Sequence, residues 1–398
     1  MTEAPDHRRH RRFSTRSVHP PEVEQQPGDP LVPSIELAST YAFDDVAEFA
    51  EASRTKVGAG YVYARWSNRT LDALKAAVAD LEAAPEGEVF SSGMAAISCA
   101  FLGLCSSGDR IVAARQLYGN TYSLLATRLP RYGIETTFLE VTDLEGIEAA
   151  LPGAKFLYCE TIGNPRVVAA DIERLAELAR AAGIPLVVDN TFASPVLCRP
   201  YELGASLVIH SATKFLGGHH DLLGGVAVGD RDLIAELRKI AIDLGPTLAP
   251  FNAWLVLRGM QTLPLRVERA SANAQRVATW LAEHPEIERV YYPGLEGDDS
   301  HEIAARLFRG RGGGTLGFDL RGGRDRAVPF QEALRVISPA ASLGGTHSLI
   351  VHAASVTHTQ LSPEELASAG ISEGFCRLSV GLEDPGDLIE DLEQALKA

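Results

Sequence analysis

Residues Gly204 to Gly225 read GASLVIHSATKFLGGHHDLLGG, and the sense given to this stretch decides how the rest of the chain is arranged. A short apolar run, LVIHS, has strand character. Lys214 follows between apolar neighbours, and a glycine-dense loop comes next. Lysine is almost never fully buried without a task. In an apolar pocket its ammonium loses hydration, its pKa falls, and a neutral amine becomes available as nucleophile or base. A surface lysine whose stem lies along apolar neighbours would leave the same trace, so the flanking elements must decide.

Those elements alternate. EVF is a strand and SSGMAAISCAFLGL a helix, so Ser91, Ser92 and Gly93 stand at a helix start, where free backbone N–H groups and the helix dipole favour an anion. RIVAA is a strand, YGNTYSLLATRL a helix opening with Tyr118, TTFLEV a strand and DLEGIEAAL a helix. KFLYCET is a strand that ends at Glu160 before the turn IGNPR. DIERLAELARAAG is a helix closed by Gly183, and PLVVDNTF a strand ending in Asp189 and Asn190. SLVIHS and GGVAVG are two more strands. Repeated units of this kind predict an α/β fold with a right-handed, mostly parallel sheet covered by helices. Ligands on such sheets gather beyond the carboxyl ends of the strands. Residues 90–93, 160–164, 189–191 and 211–214 all fall there.

The flanks differ. The first thirty residues are polar and proline-rich, with Arg8, Arg9, Arg11, Arg12 and Arg16 clustered, and read as a flexible arm. VPSIELASTYAF is extended, and Asp44 is placed to cap the helix that follows. GYVYARWSNRT, residues 60–70, is a loop in which Arg65 can bind phosphate or carboxylate with two parallel hydrogen bonds. Leu71, Leu74, Val78 and Leu81 give the next segment helical spacing. Residues 246–281 read as helices interrupted at Gly259 and Pro264, bridging into a second unit. There short strands (ERVYYP, GTLGFDL, FCRLSVG) mix with helices in a smaller α+β pattern.

With 398 residues the chain exceeds what one core usually fills. Its net charge of −15 argues against nucleic acid or an anionic membrane surface as partner. No run has the length of a membrane span, and no apolar segment follows the basic residues at the start as a secretion signal would require. Cys99, Cys105, Cys159, Cys198 and Cys376 are odd in number and contain no CxxC pair. That speaks against a disulfide framework or zinc site and for a reducing, cytoplasmic compartment.

A pyridoxal phosphate (PLP) enzyme needs a lysine for a Schiff base, an acid for the pyridine nitrogen, a stacking ring, phosphate donors and an arginine for the substrate carboxylate. Lys214 offers the first and Asp189 the second. Tyr118 can stack and carry a proton. Arg377, inside the apolar strand FCRLSVG, needs an anionic partner, which a substrate carboxylate or a structural ion pair would equally supply.

At this point the chain resembles the PLP-dependent cysteine/methionine metabolism enzymes: cystathionine γ-synthases and γ-lyases, methionine γ-lyases and O-acylhomoserine sulfhydrylases. The segments that carry the likeness are YVYARWSNRT, SSGMAAI, LYGNTY, VVDNTFASP, HSATKFLGGH, AWLVLRGMQTL, SLGGTHSLIVHAASVTH and GISEGFCRLSVGLED. They run in family order from about Phe13 to the C-terminus. The resemblance implies a fold-type I, aspartate-aminotransferase-like subunit. Its parts would be an N-terminal arm (1–59), a PLP-binding large domain (60–250) and a smaller C-terminal domain (251–398) that begins with a bridging helix. It implies a cytoplasmic homotetramer, a dimer of dimers with shared active sites, in which Tyr63 and Arg65 reach the cofactor phosphate of a neighbouring subunit. Ser92, Gly93, Met94, Ser211 and Thr213 match the phosphate cradle, Tyr118 the stacking tyrosine, Asp189 the pyridine partner and Asn164 a residue beside the cofactor O3′. Ser342 and Arg377 match the residues that hold the substrate carboxylate, with Asn120 and Ala341 in the substrate pocket.

The activity so implied is γ-elimination or γ-replacement on a homocysteine- or homoserine-derived amino acid, in transsulfuration or a related step. Alternatives are β-elimination of the cystathionine β-lyase kind, a methionine γ-lyase, a γ-substitution in specialised biosynthesis, or a PLP-binding protein without turnover. Asn120 stands where methionine γ-lyases carry cysteine, and Ala341 where cystathionine-cleaving relatives often carry glutamate. Arg69, Ser206, His220 and His347 also depart from the usual residues. The HHD run at 219–221 invites a metal, but the family needs none. These substitutions leave the cofactor residues whole and bear on the substrate.

Overall fold

The computed structural model describes residues 11–21, 30–55, 60–356 and 371–397, so Arg8 and Arg9 of the basic cluster lie outside the described residues. Seven strands form the larger sheet: β1 (Glu86–Phe90), β2 (Arg110–Ala114), β3 (Glu135–Leu139), β4 (Leu157–Glu160), β5 (Leu186–Asp189), β6 (Leu207–Ser211) and β7 (Gly225–Gly229). Their spatial order is β1-β7-β6-β5-β4-β2-β3. β3, β2, β4, β5 and β6 are parallel neighbours, whereas β7 runs antiparallel to both β6 and β1. β4 and β5 are buried at every position, which is why LYCE and LVVD read as unbroken apolar runs with one acid at the end.

A smaller sheet follows, ordered β10-β11-β12-β9-β8, from β8 (Ile287–Tyr291), β9 (Thr315–Leu320), β10 (Ser338–Pro339), β11 (Leu349–His352) and β12 (Phe375–Ser379). It is antiparallel except for the β10–β11 pair. Two large hydrophobic clusters result, one per sheet. The helix Leu263–Glu283 belongs to both. Leu263 and Val267 pack into the first cluster, while Ala274, Val277, Ala278 and Leu281 reach the second at helical spacing.

Three local expectations change. Asp45, and not Asp44, caps the helix Val46–Thr55: its Oδ1 accepts the N–H groups of Ala47 at 2.6 Å and Glu48 at 3.0 Å. Gly259 does not interrupt a helix. It lies within Pro250–Met260, and the break falls at Gln261 and Thr262, with Pro264 in the first turn of the next helix, where its missing N–H costs nothing. β11, with the two-residue β10 beside it, was not anticipated.

The reason for a glycine at 259 is steric. A Cβ there would lie 2.2 Å from the Gly217 carbonyl oxygen, so the helix touches the backbone of the loop that follows Lys214. Arg266 holds the same loop. Buried, it donates to the carbonyls of Phe215 (2.8 Å) and Gly259 (2.7 Å) and to the Thr262 hydroxyl (3.1 Å). Burial pulls its pKa down to about 10.

Gly259→Ala tests that contact. Alanine in a free helix interior gains up to about 1 kcal/mol over glycine, but overpacking costs about 1–3 kcal/mol. Since the obstructing atom is backbone, the clash should win. We expect a lowered denaturant midpoint at unchanged slope, and a raised midpoint would contradict the close approach.

Candidate active site

The strand ends assemble the site. Lys214 leaves the turn after β6, its N–H donating to Ser211 O at 3.1 Å. Its Nζ donates to Ser342 Oγ at 2.7 Å, joining the large sheet to the loop before β11. Burial, and secondarily the nearby Arg377 charge, lower its pKa to about 8. Ser342 has φ 108°, a left-handed value that costs a non-glycine residue about 1–3 kcal/mol and is kept only where surrounding bonds impose it. Here Lys214 takes its hydroxyl and Arg377 Nη2 its carbonyl, at 3.2 Å.

Arg377 projects from β12 and is 5% exposed. Its Nη1 donates to Asn164 Oδ1 at 2.8 Å, while Nε is buried with no partner among the described residues. Burial lowers its pKa to about 10, opposed by Tyr118 and Glu160. No carboxylate pairs with it among the described residues, so the structural ion pair left open by the sequence is not what β12 provides.

Two acids close neighbouring strands of the large sheet, and one of them, Glu160, feels the Arg377 charge. Asp189 ends β5 and accepts the N–H of Thr191 at 2.9 Å. Burial raises its pKa, with Thr191 and His210 pulling the other way. Glu160 ends β4, is buried, and accepts the Tyr118 N–H at 2.6 Å through Oε1, while its Oε2 has no partner among the described residues. Burial, then Asp189, hold its pKa well above the ordinary range, against the Tyr118 N–H and Arg377. Sequence reasoning marked Glu160 only as a strand end. The available signal was an acid closing a fully apolar strand in a sheet whose other strand ends carry function. Behind β5 and β6 lies a further cluster the sequence did not reveal: Glu82 Oε1 meets His210 Nε2 at 2.7 Å and Asn190 Nδ2 at 2.8 Å, all three fully buried.

The residues expected to hold phosphate also converge. Ser92 caps the helix Gly93–Leu104, its Oγ accepting Ala95 N–H at 3.1 Å. Ser211 N–H donates to Thr191 Oγ1 at 2.8 Å, and Thr213 Oγ1 accepts Gly224 N–H at 3.1 Å. A Cβ on Gly93 would lie 2.7 Å from the Ser211 Cβ, and one on Gly225 would lie 2.1 Å from Ser92 O. Met94 Sδ sits 3.7 Å from the Thr121 hydroxyl. Tyr118 is 42% exposed, and Asn120 Nδ2 donates to its phenol oxygen at 3.1 Å. A serine at a helix start, a serine and a threonine at and just after the end of β6, an acid with no cationic partner among the described residues and an orphaned guanidinium nitrogen are the set a phosphorylated ring nitrogen base and an amino-acid carboxylate would complete. The residues present fit PLP.

Not every expected residue joins them. Tyr63 is 39% exposed, and the Arg65 guanidinium stacks near its ring at 5.6 Å and bonds the carbonyl of Ile242. Neither has a described bond to Lys214, Tyr118, Asp189 or Arg377. Ala341 is exposed beside Ser342. The His220 and His347 rings stand 6.4 Å apart. Among the described residues no three His, Cys, Asp or Glu side chains gather as a metal site, and no helix is long and apolar enough to cross a membrane.

Comparison with known proteins gives this geometry a context. The family model for Cys/Met metabolism PLP-dependent enzymes matches residues 14–397. The chain is 41% identical to L-methionine gamma-lyase of Pseudomonas putida over 389 residues, 97% of each chain. It is 42% identical to O-succinylhomoserine sulfhydrylase of Pseudomonas aeruginosa over 361 residues, 90% of this chain and 89% of that protein. A solved structure from Campylobacter jejuni that carries N'-pyridoxyl-lysine-5'-monophosphate superposes with TM-score 0.91 at 32% identity, covering 97% of this chain and all of that one.

The depressed lysine is open to measurement. In the cofactor-free protein, acylation of Lys214 by an amine-selective reagent should follow the neutral fraction and rise with pH through a midpoint near 8. Arg377→Met removes a positive neighbour and should move that midpoint upward. Peptide mass spectrometry reads both, and a midpoint at the ordinary 10.5 would contradict the burial argument.

Proposed function

Because the chain belongs to the Cys/Met metabolism PLP-dependent enzymes, we propose that it breaks or exchanges a bond at the γ-carbon of a homocysteine- or homoserine-derived amino acid. The observation that carries this reading is the pairing of a half-buried, hydrogen-bonded lysine with a buried arginine that has no carboxylate partner among the described residues. PLP, held at Lys214, supplies an electron sink for charge developing on the substrate α-carbon.

The chain's own residues do the rest. Ser92, Gly93, Met94, Ser211 and Thr213 would hold the cofactor's phosphate, Asp189 would pair with its pyridine nitrogen, and Asn164 would serve the ring oxygen. Arg377, steadied by Asn164 and the Ser342 carbonyl, binds the substrate carboxylate. Lys214, with a pKa of about 8, is partly neutral near pH 7 and takes the α-proton, while Ser342 Oγ fixes its amine. Tyr118 would stack on the cofactor ring, and its phenol passes a proton to the departing γ-substituent. Each positioned acid or base contributes about 10²–10⁴-fold.

In the same reading residues 60–250 form the cofactor domain and 251–398 the C-terminal domain, and the chain acts as a cytoplasmic homotetramer. Tyr63 and Arg65, which turn away from this chain's own site group, then serve a second copy's phosphate. Asn120 in place of cysteine favours a substrate other than methionine, and Ala341 in place of glutamate bears on the substrate as well.

The test is a substrate panel with product identification: L-cystathionine, L-homocysteine, L-methionine, and O-acetyl- and O-succinyl-L-homoserine, with and without thiols. We expect 2-oxobutanoate without thiol or a thioether with it. Pyruvate from cystathionine would move the assignment to β-elimination, and an unchanged cofactor spectrum throughout would overturn the reading. Arg377→Leu should raise KM by about 10- to 100-fold, the worth of a hydrogen bond to a charged group, with a smaller effect on kcat.

A further inference from the structure

Burial does not hold Tyr118. Its side chain is 42% exposed, and it precedes Gly119–Ser123, a five-residue helix whose first position receives no side-chain cap. A phenol that must hand over a proton needs placement to within about 0.5 Å. Two bonds supply it from opposite ends: Glu160 Oε1 takes the backbone N–H at 2.6 Å, and the Asn120 amide donates to the phenol oxygen at 3.1 Å.

The Glu160 bond exceeds a structural need. An N–H at a helix start is ordinarily met by water or by a side-chain oxygen from its own segment. Here it is met by a carboxyl from β4, 42 positions along the chain and 5% exposed, with its second oxygen unbonded among the described residues and Asp189 nearby. A desolvated carboxyl beside another acid is costly. That cost secures the position of one residue, Tyr118.

We propose that Glu160 and Asn120 clamp Tyr118, Glu160 positioning the ring through its amide and Asn120 stabilising the phenol oxygen as it gives up its proton. The clamp rests on the proton-carrier role given to Tyr118 above, and it serves the γ-carbon step and not the α-carbon step. In that step the electron pair on the β-carbon forms the Cβ–Cγ double bond. The Cγ–substituent bond breaks with its pair going to the substituent, which takes the Tyr118 proton. The phenolate left behind accepts the Asn120 N–H and regains a proton from water at its exposed face.

The experiment separates the two steps on the holoenzyme. Exchange of the substrate α-proton in D2O, followed by NMR, reports Lys214, and product release reports the γ step. We expect Glu160→Ala and Asn120→Ala to lose product release by about 10²-fold while α-exchange stays within about threefold. Glu160→Gln, which keeps an acceptor oxygen, should rescue most of the loss. A fall of both steps together, or of neither, overturns the clamp, and so does a Gln variant as impaired as the Ala one. A second readout does not depend on turnover. Acetylation of the half-exposed Tyr118 phenol by N-acetylimidazole at fixed pH, read by peptide mass spectrometry, should quicken by about threefold or more in Asn120→Ala, because the oxygen loses the amide that occupies it. An unchanged rate overturns the Asn120 half. A parent that turns over no γ-substrate but keeps this change of rate sinks the γ-carbon reading and leaves the clamp standing.

Discussion

Two cations and two acids crowd one set of strand ends, and no ion pair joins them among the described residues. Arg377, Asp189 and Glu160 are buried and Lys214 half-buried, yet Arg377 bonds an amide and a carbonyl, and Lys214 a hydroxyl. Isolated buried charges are strongly unfavourable. Paired with one another they would make a stable core and a dead site. Held apart, Arg377 stays available to an anion that arrives, Lys214 keeps an amine that can lose its proton, and Asp189 stays available to a cation.

Much of the surrounding architecture keeps them apart. Arg266 and the Gly259–Gly217 contact fix the loop after Lys214 without introducing a carboxylate that could reach it. The bond from Thr191 Oγ1 to Ser211 N–H ties the end of β5 to that of β6. Behind them Glu82, His210 and Asn190 anchor the same two strands in the core. Ser342 bears a strained backbone where the second sheet meets the first, and both cations draw on it. The two sheets thus bring different groups to one place: β4 and β5 their closing acids, the turn after β6 the lysine, and β12 the arginine.

What the sequence made legible follows from periodicity. Fully buried parallel strands leave unbroken apolar runs, so the residues that close them, Asp189, Ser211 and Lys214, stood out at once. Chemistry spread across the chain was harder to see. Glu160 looked like any strand-ending acid until the Tyr118 amide came to lie against it, and the Glu82–His210 contact spans 128 residues. Asp44 and Asp45 are equivalent on paper, and only backbone placement selects the second as cap. β10 is too short to leave a pattern. Tyr63 and Arg65 show the opposite limit: the resemblance gives them a role at a site that one chain does not bring them to.

The account stands on an imine between the vitamin B6 aldehyde and the amine of residue 214. Borohydride reduction of the purified holoprotein, followed by peptide mass mapping, tests it most directly. The account predicts a pyridoxyl phosphate group on the peptide containing Lys214 and on no other lysine. A pyridoxyl mark elsewhere, or none at all on a yellow protein, would contradict it.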